Sequence, residues 1–144
     1  MRCLGLDLGS KTLGIAISDA TNVVASVYTT LYFENEDYES LISPLKELID
    51  KEKIDTLVLG LPKNMNNTLG ERANITLEFK KMLENNFNIL VVMEDERLTS
   101  VISNNVLIRA NVSRKKRKKK VDGMAAVLIL QGYLDKIKRG VYNE

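Results

Sequence analysis

The hydrophobic pattern of this chain changes its period part-way along the sequence, and that change limits the folds open to it. Three short segments come first, over residues 2–8, 13–18 and 24–33, and each is rich in alternating apolar or β-branched residues. Short connections join them, the first of which is the turn at Gly9–Thr12. Strands with such tight connections predict an antiparallel meander.

After this meander, helical spacing of apolar residues alternates with short, continuously apolar runs. The spacing predicts helices over 37–52, 70–85, 99–108 and 121–138, and the runs predict buried strands over 56–61 and 88–93. The order β-β-β-α-β-α-β-α-α predicts an α/β fold with a five-stranded mixed sheet, in which three antiparallel strands precede β-α-β crossovers and helices flank the sheet. The apolar stripe of the last helix is expected to comprise Met124, Ala125, Leu128, Leu134 and Ile137.

An aspartate within the first predicted strand is a candidate functional residue. Alternation places Leu4, Leu6 and Leu8 on one face of the strand and Asp7 on the other, with a glycine two residues to either side. Burying an ionised carboxylate is costly unless a partner compensates the charge. The flanking glycines would let a ligand approach the backbone closely. The alternative is a structural acid that accepts a hydrogen bond from the following turn.

Composition excludes several classes of protein. The 144 residues fit one domain, 1–144, with 44% hydrophobic and 28% charged residues, as in ordinary globular proteins. Neither a membrane span nor a secretory leader is expected, and Cys3 is the only cysteine, so a cytoplasmic protein without disulfides or membrane contact is predicted. The chain has no histidine, which excludes catalytic triads and zinc sites that depend on it.

Positive charge is concentrated in one run. Residues 114–120 carry seven of the 21 basic residues, and the rest of the chain has 14 basic against 19 acidic residues. Such a run in an otherwise mildly acidic chain indicates contact with a polyanion such as nucleic acid. We expect it to form a loop before the last helix. The alternative is a solvated loop with no ligand.

Acidic residues lie near the ends of the strands and the helix that we expect to converge on one edge of the sheet. Ligands of such sheets bind at the carboxyl ends of parallel strands, near the point where the strand order reverses. Asp7 lies toward the end of the first strand, Glu96 follows the fifth, and Asp122 is expected in the first turn of the last helix. Clustered carboxylates without imidazole or thiolate suit Mg²⁺ or Mn²⁺, and two such ions are typical of in-line phosphodiester cleavage.

Each of these acids also has a structural alternative. Glu94 and Asp95 are expected to be solvated or structural rather than ligands. Glu96 could pair with Arg97 or Arg72, and an acid at Asp122 is also an ordinary preference at a helix start. No single one of these acids indicates a metal site. The expected placement of Asp7, Glu96 and Asp122 together favours one.

Several motifs in one order resemble a known family. They are Gly5–Lys11 with Gly14, Leu59–Met65, Thr68–Ala73, Asp95–Ser100, Ser113–Asp122 and Ala125–Leu134. In these motifs the chain resembles the YqgF-type proteins, described as Holliday-junction resolvases and nucleases of pre-16S ribosomal RNA with an RNase H-like fold. One departure is Asn66-Asn67, where the family often has an Asp-Gly turn.

The resemblance implies that Asp7, Glu96 and Asp122 are the catalytic and metal-binding acids, with Mg²⁺ or Mn²⁺, expected as two ions, as cofactor. Arg72 and Arg97 would contact phosphate or instead orient the acids. The residues expected to contact nucleic acid are Lys11, Lys63, Arg72, Arg97, Arg114, Lys115, Lys116, Arg117, Lys118 and Lys119.

The favoured function is a metal-dependent endonuclease that processes the 5′ end of pre-16S ribosomal RNA. A resolvase of four-way DNA junctions is the alternative, and a monomer or homodimer is expected. An actin-like nucleotide-binding domain is less favoured because 144 residues leave no room for the second such domain that closes over ATP. The intact set of acids argues against a binding module without catalysis.

Overall fold

The computed structural model describes residues 2–34, 36–62, 70–95 and 114–138, and for Asp95, residues 114–123 and Lys138 it describes the backbone alone. The strands are β1 (Arg2–Leu8), β2 (Thr12–Ser18), β3 (Ala25–Tyr32), β4 (Ile54–Leu61) and β5 (Leu90–Asp95). The α-helices are α1 (Ile42–Glu52), which follows a short 3-10 helix at Tyr38–Leu41, α2 (Glu71–Asn86) and α3 (Arg114–Lys138). The predicted helix over 99–108 lies outside the described residues.

The five strands form one mixed sheet in the order β3-β2-β1-β4-β5. β1 pairs antiparallel with β2, and β2 with β3, whereas β4 is parallel to both β1 and β5. The predicted fold class, a meander followed by crossovers, is therefore confirmed. Because the chain turns from one side of β1 to the other at β4, the strand order reverses between β1 and β4.

Helices cover both faces of the sheet, as the apolar pattern requires. Leu4, Leu6 and Leu8 of β1 belong to the larger core, which also holds buried residues of α1 and α2. Cys3 belongs to a second core against α3. The predicted division of β1 into a leucine face and an opposite face is thus confirmed. No helix in the described ranges is sufficiently long and apolar to cross a bilayer.

The last helix begins earlier than expected. A loop over 114–120 was predicted, with Asp122 in the first turn of the helix, and both predictions are wrong: α3 begins at Arg114, which puts Asp122 more than two turns inside it. Arg and Lys are good helix formers, and neither glycine nor proline interrupts the run. The error arose because the run has no apolar residues from which a helical period could be recognised.

The buried side of α3 is also rotated relative to the predicted stripe. The side chains buried against the sheet are Ala125, Ala126, Ile129, Leu130, Tyr133 and Leu134. Ala125 and Leu134 are confirmed, but Met124 and Leu128 are only half-buried and Ile137 is exposed. The sequence has more apolar residues in this helix than one face can hold, so their spacing alone does not select the buried set.

Candidate active site

Asp7 lies near the carboxyl end of the central strand β1, beside the point where the strand order reverses. Alternation puts it on the face that α3 covers, two residues beyond Gly5. Its side chain is half-buried rather than fully buried as expected. A carboxylate at this edge is held by the sheet yet remains accessible to a ligand, which is the usual position of ligand sites in such folds.

Glycines occupy the positions next to Asp7 across the sheet. Asp7 is directly opposite Gly14 of β2. On the other side Leu6 pairs with Leu59, so the next position in β4 is Gly60, which itself pairs with Glu94 of β5. The row Gly14, Asp7, Gly60, Glu94 therefore runs across four strands. No side chain projects from the positions on either side of the Asp7 carboxylate, and a phosphate backbone could approach it there.

An arginine from the opposite layer holds the end of β1. Nη2 of Arg72, in the first turn of α2, donates a 3.1 Å hydrogen bond to the carbonyl of Leu8, the residue after Asp7. The backbone carbonyl of Arg72 accepts a hydrogen bond from Thr76 Oγ1 at 2.8 Å, and the Thr76 side chain is fully buried. Arg72 is therefore anchored at its own backbone while its guanidinium fixes the strand end that carries Asp7.

At the other end of the glycine row, Glu94 forms a largely buried ion pair. Its two carboxylate oxygens each accept a 3.0 Å hydrogen bond from Nζ of Lys136 in α3. The Glu94 side chain is 7% exposed and that of Lys136 36%. The expectation that Glu94 is structural rather than a ligand agrees with this pairing, although the carboxylate is not solvated. The local sequence gave no sign of this pair, because its partners are 42 residues apart.

The helix α3 packs directly on β1. A Cβ added at Gly5 would lie 2.6 Å from Leu130 Cβ and 2.7 Å from the carbonyl oxygen of Ala126, so only glycine permits this approach. Farther along α3, Gln131 Oε1 accepts a 2.9 Å hydrogen bond from the backbone N–H of Ala25. Ala25 pairs with Ser18, at the level of the amino end of β1. The helix α3 therefore crosses the sheet beside Gly5 of β1, with Gln131 bonded on the β3 side and Lys136 on the β5 side.

The backbone of Asp122 lies close to the point where α3 meets β1. Asp122 precedes Ala126, which is next to Gly5, by four residues, or about one helical turn. The predicted acids Asp7 and Asp122 are thus on two elements, β1 and α3, that are in direct contact. Glu96, Lys63 and Arg97 lie outside the described residues. Lys11 is exposed in the turn that joins β1 to β2.

The available donor atoms fit a hard divalent cation. Cys3 is buried, and desolvation, with a smaller contribution from the nearby Asp55 charge, raises the pKa of its thiol to about 11, so it offers no thiolate. The chain has no imidazole. Within the part of the chain whose side chains are described, no three acidic or cysteine residues cluster. A cation bound at Asp7 would take its other carboxylate ligands from outside that part, and carboxylate oxygens are the ligands that Mg²⁺ and Mn²⁺ prefer.

Comparison with protein families identifies the relatives of this chain. The model of RuvX, described as Holliday junction resolvase, matches residues 1–136. The chain belongs to this family. Relatives in Geobacillus sp. (strain WCH70) and Bacillus subtilis (strain 168), each named as a candidate pre-16S rRNA nuclease, are 50% identical over 135 and 137 residues. The matches cover 94% and 95% of this chain and 98% and 99% of the relatives.

Solved structures agree with this assignment at the level of the fold. RuvC of Thermus thermophilus in complex with a Holliday junction substrate superposes with a TM-score of 0.58 at 10% identity, over 95% of this chain and 96% of that one. The resolvase of fowlpox virus gives 0.56 at 18% identity, over 95% and 99%. The RuvX-family chain therefore has the RNase H-like fold of resolvases, and the resemblance predicted from its motifs is confirmed.

Proposed function

We propose that this chain is a metal-dependent endonuclease that hydrolyses phosphodiester bonds of structured nucleic acid, and that its substrate is the 5′ end of pre-16S ribosomal RNA. The observation that carries the proposal is the place of Asp7: a half-buried carboxylate between two glycines at the strand-order reversal of a resolvase fold. The names of relatives that are 50% identical over nearly their whole length favour the RNA substrate.

Asp7, Glu96 and Asp122 are the residues that would hold the cofactor, Mg²⁺ or Mn²⁺, expected as two ions. When bound, such ions stabilise negative charge on a phosphate and lower the pKa of a coordinated water. This chemistry requires no nucleophilic side chain, which agrees with a chain that has no histidine and whose only thiol is buried.

The chain's own residues would position the scissile phosphate. Asp7 presents its carboxylate from a strand that is paired on both sides, so its position is set by the sheet. Gly14 and Gly60 leave the neighbouring positions without side chains, and Arg72 holds the carbonyl of Leu8. A rigid site of this kind reduces the entropy that the substrate complex must lose before reaction.

Basic residues near the same edge would bind the substrate backbone. Lys11 is exposed in the turn after β1, and the basic run occupies the first two turns of α3, upstream of Asp122. We propose phosphate contacts for Arg114, Lys115, Lys116, Arg117, Lys118 and Lys119, and also for Lys11, Lys63, Arg72 and Arg97.

The test is a cleavage assay of purified protein on two substrates, a precursor 16S RNA fragment and a four-way DNA junction, each with and without Mn²⁺ or Mg²⁺. We expect metal-dependent cleavage of the RNA, lost in Asp7→Asn. The matched control is Asp50→Asn, which removes an equally small acid from an exposed position on α1. Cleavage that persists in Asp7→Asn, or is lost equally in Asp50→Asn, would contradict the proposed site.

A second candidate is resolution of Holliday junctions. It is favoured by the description of the matching family and by the fold shared with RuvC. In the same assay, symmetric metal-dependent cleavage of the junction with the RNA left intact would establish this function and reject the RNA substrate. The site residues would be the same in both cases, because both substrates are cut at a phosphodiester bond.

A further inference from the structure

We propose that the ion pair between Glu94 and Lys136 positions the metal-binding acids, by joining the end of β5 to α3. This inference rests on the proposed function, because it assigns a role in the same site to residues that do not themselves contact the cofactor or the substrate. Glu94 and Lys136 are therefore positioning residues.

The geometry of the pair is that of a fixed link rather than a loose surface contact. Both Glu94 oxygens lie 3.0 Å from the same ammonium group, and the carboxylate is 7% exposed. Exposed ion pairs constrain little because the side chains move freely in water. Here, by contrast, the Glu94 carboxylate is poorly hydrated, so separating it from the Lys136 ammonium group is costly. The pair therefore resists relative movement of β5 and α3.

Small residues make room for this link. Glu94 is next to Gly60 in the sheet, so no side chain from β4 occupies the neighbouring position. On the helix, Gly132 lies one turn before Lys136, and a Cβ there would be 3.6 Å from Glu94 Oε2. The carboxylate thus reaches the surface of α3 between a glycine of the sheet and a glycine of the helix.

One linked element, α3, includes one of the three acids of the proposed site, and the other, β5, ends one residue before a second in the sequence. Glu96 follows Glu94 by two residues in the sequence, and Asp122 belongs to α3. The third acid, Asp7, is in the same row of the sheet as Glu94, two strands away. Lys136 is 14 residues beyond Asp122 in α3, about 21 Å along the helix, so the link acts on Asp122 through the orientation of the whole helix relative to β5.

A second polar contact holds α3 on its other side. Gln131 accepts a hydrogen bond from the N–H of Ala25 and donates one of 2.8 Å to the carbonyl of Val23. The helix is thus attached to the β3 side through Gln131 and to the β5 side through Lys136. Without the Glu94 link, α3 would keep its apolar packing and its attachment near β3 but would lose this ion pair with β5.

The experiment compares the full-length protein with the double variant Glu94→Gln/Lys136→Met, which removes both charges and leaves neither unpaired. Calorimetry measures Mn²⁺ binding. Steady-state assays give kcat and KM on whichever substrate, the RNA fragment or the DNA junction, the wild-type protein cleaves. Thermal unfolding confirms that each variant is folded at the assay temperature. The matched control is Lys80→Met/Glu84→Gln, which removes a 3.0 Å pair on α2 whose carboxylate is far more exposed to solvent than that of Glu94.

We expect the double variant to bind Mn²⁺ about tenfold more weakly and to lose about tenfold in kcat with KM nearly unchanged, as for residues that orient metal ligands. Lys136→Arg, which keeps a cation for Glu94, should retain most of the affinity, and the control pair should have no effect. Wild-type Mn²⁺ affinity and kcat in a folded double variant would overturn the inference.

Two further results are decisive. If the double variant does not fold, Glu94→Asp replaces it, because this variant keeps both charges and shortens the link by one methylene. Weaker Mn²⁺ binding by Glu94→Asp would support the inference, and unchanged Mn²⁺ affinity would overturn it. If the wild-type protein neither binds Mn²⁺ nor cleaves nucleic acid, the proposed function fails and this inference fails with it.

Discussion

Arg72 of α2 and Leu8 of β1 are joined by a 3.1 Å hydrogen bond from the guanidinium to the strand carbonyl, immediately after Asp7. The two residues are 64 positions apart, so this contact exists only in the folded chain. It connects the start of α2, on one face of the sheet, to the end of β1. The carboxylate of Asp7 in β1 lies on the opposite face. Disturbing Arg72 should therefore affect both stability and the position of Asp7.

For Arg72→Ala we predict a loss of about 1.5–3 kcal/mol in the free energy of unfolding, the usual range for a hydrogen bond that involves a charged group, and a loss of about tenfold in kcat. Denaturant unfolding and the cleavage assay measure the two effects. Lys81→Ala, an exposed basic residue of the same helix, is the control.

Arg72→Lys separates the two roles considered for this residue. A lysine keeps the charge for a phosphate contact but lacks the planar guanidinium that reaches a backbone carbonyl while other N–H groups remain available. If Arg72 orients the site, Arg72→Lys should lose nearly as much kcat as Arg72→Ala. Recovery of wild-type kcat by lysine would assign Arg72 to phosphate binding instead.

Gly5 and Gly132 should respond in opposite ways to the same added methyl group. Gly5→Ala would put Cβ 2.6 Å from Leu130 Cβ and 2.7 Å from the Ala126 carbonyl, so the helix must move. We expect a loss of about 1–3 kcal/mol in unfolding free energy, as for overpacked cores. Gly132→Ala brings a contact of only 3.6 Å and should stabilise α3 by up to about 1 kcal/mol. Equal stability of the two variants would show that α3 does not lie this close to β1.

These elements show what the sequence could and could not predict. The order of strands and helices was recoverable because alternation in β1 and β2, and the apolar run in β4, are local patterns. The start of α3 was missed because charged residues have no apolar period. The burial of Glu94 was missed because it depends on Lys136, which folding brings near it. The glycines beside Asp7 were visible as motif residues, but only the strand register shows that they share its row.

The helical form of the basic run gives its cations different registers relative to Ala126. Lys115, Lys119 and Asp122 precede Ala126 by close to whole numbers of helical turns, so they share its register along α3. Arg117 and Lys120 are offset from that register by about a third of a turn or more. If the scissile strand passes Asp122, the first pair should matter more for cleavage than the second.

We therefore compare Lys115→Gln/Lys119→Gln with Arg117→Gln/Lys120→Gln, which remove the same charge from one helix and use a residue of similar helix propensity. The first variant should reduce the slope of log K against log salt by about two and lower kcat/KM strongly. The second should change both values much less. Binding is measured by fluorescence anisotropy over a salt series. Equal losses in the two variants would indicate a diffuse electrostatic attraction without a preferred side.

The thiol of Cys3 should be chemically inert in the folded protein. It is buried in the core beneath α3, and its pKa is raised from 9.0 to about 11, mainly by desolvation. Because the thiolate is the reactive form, we expect very slow reaction with an aromatic disulfide reagent at pH 8 and rapid reaction after unfolding in denaturant. Fast labelling of the native protein would mean that α3 separates from the sheet on the time scale of the assay.

The same shift gives a pH dependence of stability with a definite sign. Below pH 9 the thiol is protonated in both the folded and the unfolded chain, so the folded state is not penalised. Between pH 9 and about 11 the unfolded chain releases this proton while the folded chain retains it, and the free energy of unfolding falls as pH rises. Cys3→Ala removes this contribution.

Denaturant unfolding at pH 8 and pH 10.5 tests this dependence. The free energy of unfolding should fall less between the two pH values for Cys3→Ala than for the wild-type protein, since the lysines that also titrate in this range are common to both. An identical loss would mean that the thiol ionises equally easily in the folded and unfolded states, and hence that α3 does not exclude water from Cys3.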